Sequence, residues 1–327
     1  MADHILEVDK LGVTFHSAGG AVRAVDDVSF VLAPGEVLGL VGESGCGKTT
    51  VARCTAGLLS PSTGVVRLNG VELGRKRTIE QRRAIQMVFQ DPYSSLNPRM
   101  TVRQTLRELL KVHDLGPAHE ERCRELMSLV GLPSGALDGL PAQFSGGQRQ
   151  RIAIARALAV EPRVIVADEP LSALDVSVQA TILLLFEDLR TRLGLTILLI
   201  SHNLAVVRHL SNRVAVMYLG RIVETAGRDD LFSDPRHPYT RALLASAPRL
   251  HQRGLVHPEV QGEPPSPVDV PQGCPFHPRC PIAQEVCHHD DPFLRPVRPG
   301  DDHRVACHFG TDPVAIGASG AGEGTPS

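Results

Sequence analysis

The sequence predicts an α/β protein built on a mostly parallel sheet covered by helices on both faces. Two patterns carry that expectation. Four short apolar runs, VLGLVG (37–42), RVIVAD (163–168), LTILLIS (195–201) and RVAVMYL (213–219), have the length and continuity of fully buried strands. Helical spacing follows three of them, in KTTVARCTAGLL (48–59), VQATILLLFEDLRTRL (178–193) and LAVVRHL (204–210).

Before this core, ILEVDKLGVTF (5–15) and AVDDVSFVLAPGE (24–36) alternate apolar and polar residues and predict antiparallel strands with a turn at Pro34–Gly35. From Pro92 to about Ala157 the pattern becomes helical and polar, as in TVRQTLRELLKV and HEERCRELMSLVGL. Pro258–Pro299 is dense in proline and lacks periodicity, and AIGASGAGEGTPS at the end has the composition of a disordered tail.

Bulk composition narrows the function. The chain has 327 residues, 42% hydrophobic and 21% charged, which suits one large domain plus an appendix, or two domains. A formal net charge of −2 supplies no broad basic field, so nucleic acid is not expected as a partner. No apolar run is long enough to cross a bilayer, and the N-terminus lacks the basic and apolar regions of a secretory signal. A cytoplasmic location is expected, where disulfides are not the default use of cysteine.

GESGCGKT, Gly42 to Thr49, fits G-x-x-x-x-G-K-[ST] between an apolar strand and a helix. Gly42, Gly45 and Gly47 let backbone wrap a phosphate chain, with Ser44, Cys46 and Thr50 completing the candidate set. Lys48 would add charge at the β/γ phosphates, and Thr49 a hydroxyl for Mg²⁺. The strand RVIVAD ends in Asp168, a candidate for reaching Mg²⁺ through water. Glu169 follows, in position to polarise an attacking water. Ser145, Gly146, Gly147 and Gln148 open another helix. They read as an N-cap, and also as a second anion cradle. One chain then has two phosphate cradles and a single P-loop lysine.

On these residues the chain resembles the nucleotide-binding subunits of ABC transporters. GESGCGKT is similar to their Walker A loop, VIVADE to Walker B, and FSGGQ to the signature motif, with Phe144 where Leu is usual. Gln90 in MVFQDP matches the Q-loop, Ser172–Asp175 the D-loop, and His202 in LLISHN the switch histidine. The resemblance implies a P-loop NTPase (RecA-like) core with an antiparallel β subdomain and a helical subdomain. It implies ATP and Mg²⁺ as ligands, and head-to-tail pairing of subunits, so that each ATP lies between one Walker A loop and the partner's signature motif. Gln90 would then reach Mg²⁺ or water, and His202 the γ-phosphate. Taken alone, Gln90 reads as a surface glutamine and His202 as a strand-end histidine. The family usually has Asp after this histidine; Asn203 caps a helix about as well. Phe15 is a candidate for stacking on adenine, or a core residue.

QDPYSSLNPRMTV and RHPYTRALLASAP resemble the oligopeptide, dipeptide and nickel importer branch, and within it the F-type subunit. That implies heterodimerisation with a related D-type ATPase, two transmembrane permease subunits, an extracytoplasmic solute-binding protein, and a peripheral location on the cytoplasmic face of the membrane. The expected division is a nucleotide-binding domain over 1–245 with its helical subdomain at about 92–157, an extension over 246–310, and a disordered tail over 311–327. The alternative is a non-transport ABC ATPase acting on DNA or ribosomes. Those typically carry a coiled-coil insertion or two tandem cassettes, and this chain has neither.

Four of the seven cysteines, Cys274, Cys280, Cys287 and Cys307, fall in the extension as C-x5-C-x6-C-x19-C. Four thiolates suit a tetrahedral Zn²⁺ or an iron–sulfur cluster, and the wide spacing suits the larger body. The resemblance implies [4Fe-4S]; zinc, or four uncoordinated cysteines, are the alternatives. Either metal would act as a structural clip in a segment poor in apolar residues.

Overall fold

The computed structural model describes residues 4–17, 20–91, 95–246, 262–263 and 265–312. The tail from 313 on, and part of the extension, lie outside the described residues.

In chain order the elements begin with β1 (Leu6–Ser17), β2 (Gly20–Leu32), β3 (Val37–Val41) and α1 (Lys48–Ala56). Next come β4 (Thr63–Leu68), β5 (Val71–Glu72), α2 (Ile79–Ala84), β6 (Ile85–Val88), α3 (Val102–Val112), α4 (His119–Leu129) and α5 (Gly146–Leu158). The second half of the core holds β7 (Val164–Asp168), α6 (Val176–Leu193), β8 (Thr196–Ile200), α7 (Leu204–Leu210), β9 (Arg213–Tyr218) and β10 (Arg221–Gly227). The chain ends in α8 (Arg228–Ser233), α9 (Pro238–Ala245), α10 (Val286–His289), β11 (Arg295–Pro296) and β12 (Arg304–Val305).

Two sheets form. β2-β1-β4-β5 is antiparallel; the larger sheet runs β11-β12-β10-β9-β3-β8-β7-β6. Its five strands from β9 to β6 pair in parallel, as the apolar runs predict. Every residue of β3, β7 and β8 is buried. The period of two divides them cleanly. Leu38, Leu40, Val164, Val166, Leu198 and Ile200 face a cluster shared with β1, β2, β4 and α1. Val37, Val41, Ile165, Ala167, Ile197 and Leu199 face the cluster built by α3 to α7. Burying each large side chain stabilises by about 1.5–3 kcal/mol, so both faces of the sheet hold the site's strands rigidly.

The helical segment is ordered by its caps. Thr101 with Gln104 begins α3, and Ser145 with Gln148 begins α5, each through a reciprocal capping box. Arg103 joins α3 to Asp138 and Glu120.

The Pro-rich extension departs from the expectation of irregular chain. β12 pairs antiparallel with β10, and β11 with β12, so the extension adds an edge to the main sheet. Strands of two residues carry no periodicity to read. Cys274, Phe276 and Cys287 also join the same apolar cluster as the sheet and its helices.

Candidate phosphate-binding site

β3 ends at Val41 and α1 begins at Lys48, with the Gly-rich loop between them. Gly47 stands at the N-cap with φ 105°, and a Cβ there would lie 2.3 Å from the Ala24 carbonyl oxygen. A Cβ at Gly42 would lie 2.1 Å from the Met217 carbonyl oxygen, so β2 and β9 press on the loop from behind. No side chain caps α1 and its first turn holds no acid, which leaves the helix N-terminus to an anion. Ser44 and Gly45 are exposed at the crest, Thr50 is partly buried, and the Cys46 thiol is buried, which raises its pKa against the pull of Lys48. The Lys48 ammonium donates to the Gly42 and Glu43 carbonyls at 2.8 and 2.7 Å.

Across the loop, the Thr49 hydroxyl donates to Asp168 Oδ1 at 3.1 Å. Burial raises the Asp168 pKa, opposed by that hydrogen bond. A hydroxyl beside a buried carboxylate is a donor set suited to a hard cation such as Mg²⁺. Glu169 turns the chain with φ 46°, in the left-handed region that an L-residue occupies at a cost. Its amide donates to Ile200 O at 2.9 Å, and its own carbonyl accepts from the Ser172 hydroxyl. One carboxylate oxygen, Glu169 Oε2, then meets Gln90 Nε2 at 3.2 Å and His202 Nδ1 at 3.1 Å. Three residues far apart along the chain thus converge at the C-terminal ends of β6, β7 and β8. Asn203 caps α7, its Oδ1 accepting from the Ala205 and Val206 amides.

The second cradle is built but stands apart. Ser145 and Gln148 close their capping box, and Gly147 is packed so that a Cβ would lie 2.4 Å from Val178. Among the described residues no hydrogen bond or ion pair joins 145–148 to the phosphate loop. Phe15 is 43% exposed on β1, opposite Val22, so of its two readings the core is not the one found.

Sequence reasoning missed the residues that hold the loop from outside the motif. Glu43, unspecified in the Gly-rich pattern, donates its amide to the Tyr239 hydroxyl at 2.8 Å. Its carboxylate accepts both arms of Arg279 at 2.9 Å each. Tyr239 and Arg279 lie in the HPYTRALL and CPFHPRC segments, and neither of these two residues carried a chemical signal of its own.

The four extension cysteines share one neighbourhood. Cys274, Cys287 and Cys307 are buried and Cys280 partly so, none in a disulfide. Burial pushes the Cys274 thiol up to about 12 and Cys280 up to about 11, and raises Cys307; the other thiols add to each shift. Yet among the described residues no three His, Cys, Asp or Glu side chains come together closely enough to hold a metal ion. The expected metal is therefore not carried by the geometry of the described residues. Four cysteines are nonetheless a soft donor set of the kind that zinc or an iron–sulfur cluster takes.

Comparison with known proteins places the chain among families already described. Residues 25–172 match the ABC transporter family, and residues 223–287 match the oligopeptide/dipeptide transporter C-terminal region. The chain is 48% identical over 304 residues to the oligopeptide transport ATP-binding protein AppF of Bacillus subtilis, covering 90% of this chain and 92% of that one. Among solved structures it is similar to cbiO1, part of the ABC transporter complex cbiONQ of Clostridium perfringens (TM-score 0.63, 26% identity, 71% of this chain and 92% of that chain). It is also similar to an ATP-binding cassette solved as a dimer in a post-hydrolysis state bound to ADP and Pi (TM-score 0.62, 27% identity, 68% and 98% covered).

Proposed function

This chain belongs to the ATP-binding proteins of ABC transporters, and from that premise we propose that it hydrolyses ATP to energise uptake of peptides or related solutes across the cytoplasmic membrane. The observation that carries the reading is the meeting of Gln90 and His202 on one oxygen of Glu169, beside the Thr49–Asp168 pair.

The phosphate chain would lie along the Gly42–Thr50 loop, with the α1 N-terminus and Lys48 offsetting its charge. Mg²⁺, when bound, would neutralise phosphate charge; Thr49, Asp168 and Gln90 are the residues that would hold it. Glu169 orients the attacking water and accepts its proton. His202 and Gln90 keep the carboxylate oxygen aimed, and His202 would face the γ-phosphate of a bound nucleotide. Phe15, exposed on β1, would stack on the adenine.

The separation of the 145–148 cradle from the loop supports a two-chain site, in which Ser145, Gly146, Gly147 and Gln148 serve the partner's ATP. The resemblance of QDPYSSLNPRMTV and RHPYTRALLASAP supports the F-type reading, with a related D-type subunit as heterodimer partner, two permease subunits and a solute-binding protein. No helix among the described residues is long and apolar enough to cross a membrane, so transport requires membrane partners. We divide the chain into a nucleotide-binding domain (1–245, helical subdomain about 92–157), an extension (246–310) and a tail. A role on DNA or ribosomes is not favoured, given the peptide-transport match of the extension. For the four cysteines we propose a [4Fe-4S] cluster, with Zn²⁺ as alternative; their shared neighbourhood and lack of disulfides support it.

Glu169→Gln tests the reading. It keeps the shape and removes the base, so turnover should fall roughly 10²–10⁴-fold while ATP binding persists. Full turnover in that variant would overturn the assignment.

A further inference from the structure

Every polar group of Glu43 is engaged. Its carbonyl accepts from Lys48, its amide donates to the Tyr239 hydroxyl, and its carboxylate takes the Arg279 fork. Two of these three partners belong to chain beyond the catalytic motifs. Arg279 is 6% exposed in its side chain, and its guanidinium lies over the Tyr218 and Phe276 rings at 5.8 and 6.0 Å. Tyr218, Tyr239 and Phe276 pack together with ring centroids 4.7 to 5.5 Å apart. The geometry is a bidentate, part-buried ion pair on an aromatic platform, which fixes position as well as charge.

Glu43 sits in the loop that receives a polyphosphate. An unpaired carboxylate there would repel the ligand and free the loop to turn. Arg279 removes both costs. It also closes the turn His277–Arg279, with Cys280 as the next residue and the Cys280 amide donating to the His277 carbonyl. A shift of the Cys274–Cys280 segment is therefore a shift of the guanidinium that holds the loop.

We propose that Arg279 is a positioning residue for the nucleotide site, acting through Glu43, so that the cysteine-bearing extension helps set how tightly the phosphates are held. This rests on the ATPase reading above.

The test is ATP affinity of the full-length chain, measured by calorimetric titration with Mg-ATP. Wild type is read first: no binding at all would overturn the ATPase reading, and this proposal with it. Arg279→Gln keeps the stem on the rings but removes the charge, and should raise the Kd about tenfold or more. Adding Glu43→Gln to that variant should restore most of the affinity, because the repelling charge is gone. Arg279→Lys, which keeps the charge without the fork, should fall between wild type and Arg279→Gln. If Arg279→Gln does not fold, the Arg279→Lys value decides alone, and a wild-type Kd there overturns the proposal. In a folded Arg279→Gln chain, an unchanged Kd, or a loss that Glu43→Gln does not recover, reduces Arg279 to a structural clip and overturns it equally.

Discussion

The phosphate cleft and the cysteine extension reach order by opposite routes. In the cleft, Gly42, Gly47, Lys48 and Thr49 fall within eight residues, and the local run of glycines into a helix shapes the cradle. The extension has no such local logic. Its strands are two residues long, its arginine pairs with a glutamate 236 positions away, and buried His303 reaches Glu224 at 2.7 Å across 79 positions. Glu224, wholly buried, also accepts the Arg236 and His237 amides. One region is shaped by its own sequence and touches the other chiefly through Glu43, whereas the extension is held throughout by what it touches.

The largest effect expected from that contrast lies at the cysteines. Purified without oxygen, the chain should carry about four irons and four sulfides, with broad visible absorption. Cys280→Ser should lose them. Because a bound metal centre contributes folding free energy directly, of order ~10 kcal/mol in small metal-dependent domains, the extension should then unfold at much lower urea than the core. About one zinc per chain would break the cluster reading. No metal, with unchanged stability, would make the extension hold by packing alone, through Phe276 and the tyrosines.

What was legible in the sequence follows the same division. The parallel strands, the Gly-rich loop and the caps at Ser145 and Asn203 were readable because each is a local pattern with one physical cause. The convergence of Gln90, Glu169 and His202 was readable only through family resemblance, since nothing in three separate strand ends states that they share a point. Glu43, Tyr239 and Arg279 were not readable: each residue type is common, and the pairing exists only in three dimensions. The strand pairing of Arg295–Pro296 and Arg304–Val305 was hidden in the same way.

An intermediate effect is expected at the seam between the two regions. His237 is 1% exposed, and its Nδ1 accepts from the Tyr239 amide, which requires a neutral ring. Burial pulls its pKa down to about 4, against the pull of the Glu224 carboxylate. An unfolded histidine titrates near ~6.5. Below that pH the unfolded chain binds a proton that the folded chain refuses, so stability is full above about pH 6.5 and is lost as pH falls toward 4. The loss should approach roughly 3 kcal/mol, since each tenfold difference in proton affinity between the folded and unfolded chain is worth about 1.4 kcal/mol. Urea midpoints across that range should show the slope, and His237→Asn, which keeps a cap acceptor but does not titrate, should flatten it. An unchanged slope would assign the acid sensitivity elsewhere.

The smallest effect returns to the cleft, at Asn203. The cap needs an acceptor, and Asn203 Oδ1 supplies one to two amides at 3.0 and 3.4 Å. Asn203→Ala should therefore cost about 1 kcal/mol in urea denaturation of the full chain. Asn203→Asp should be neutral or stabilising by about 0.3–1 kcal/mol, since a negative charge favours a helix N-terminus. Turnover should respond far less than in Glu169→Gln, because His202 is aimed by its contact with Glu169 as well as by the turn that follows it. Wild-type stability in Asn203→Ala would mean that α7 is held by its buried Leu204, Val206, Val207 and Leu210 alone, and the cleft would then depend on packing as much as the extension does.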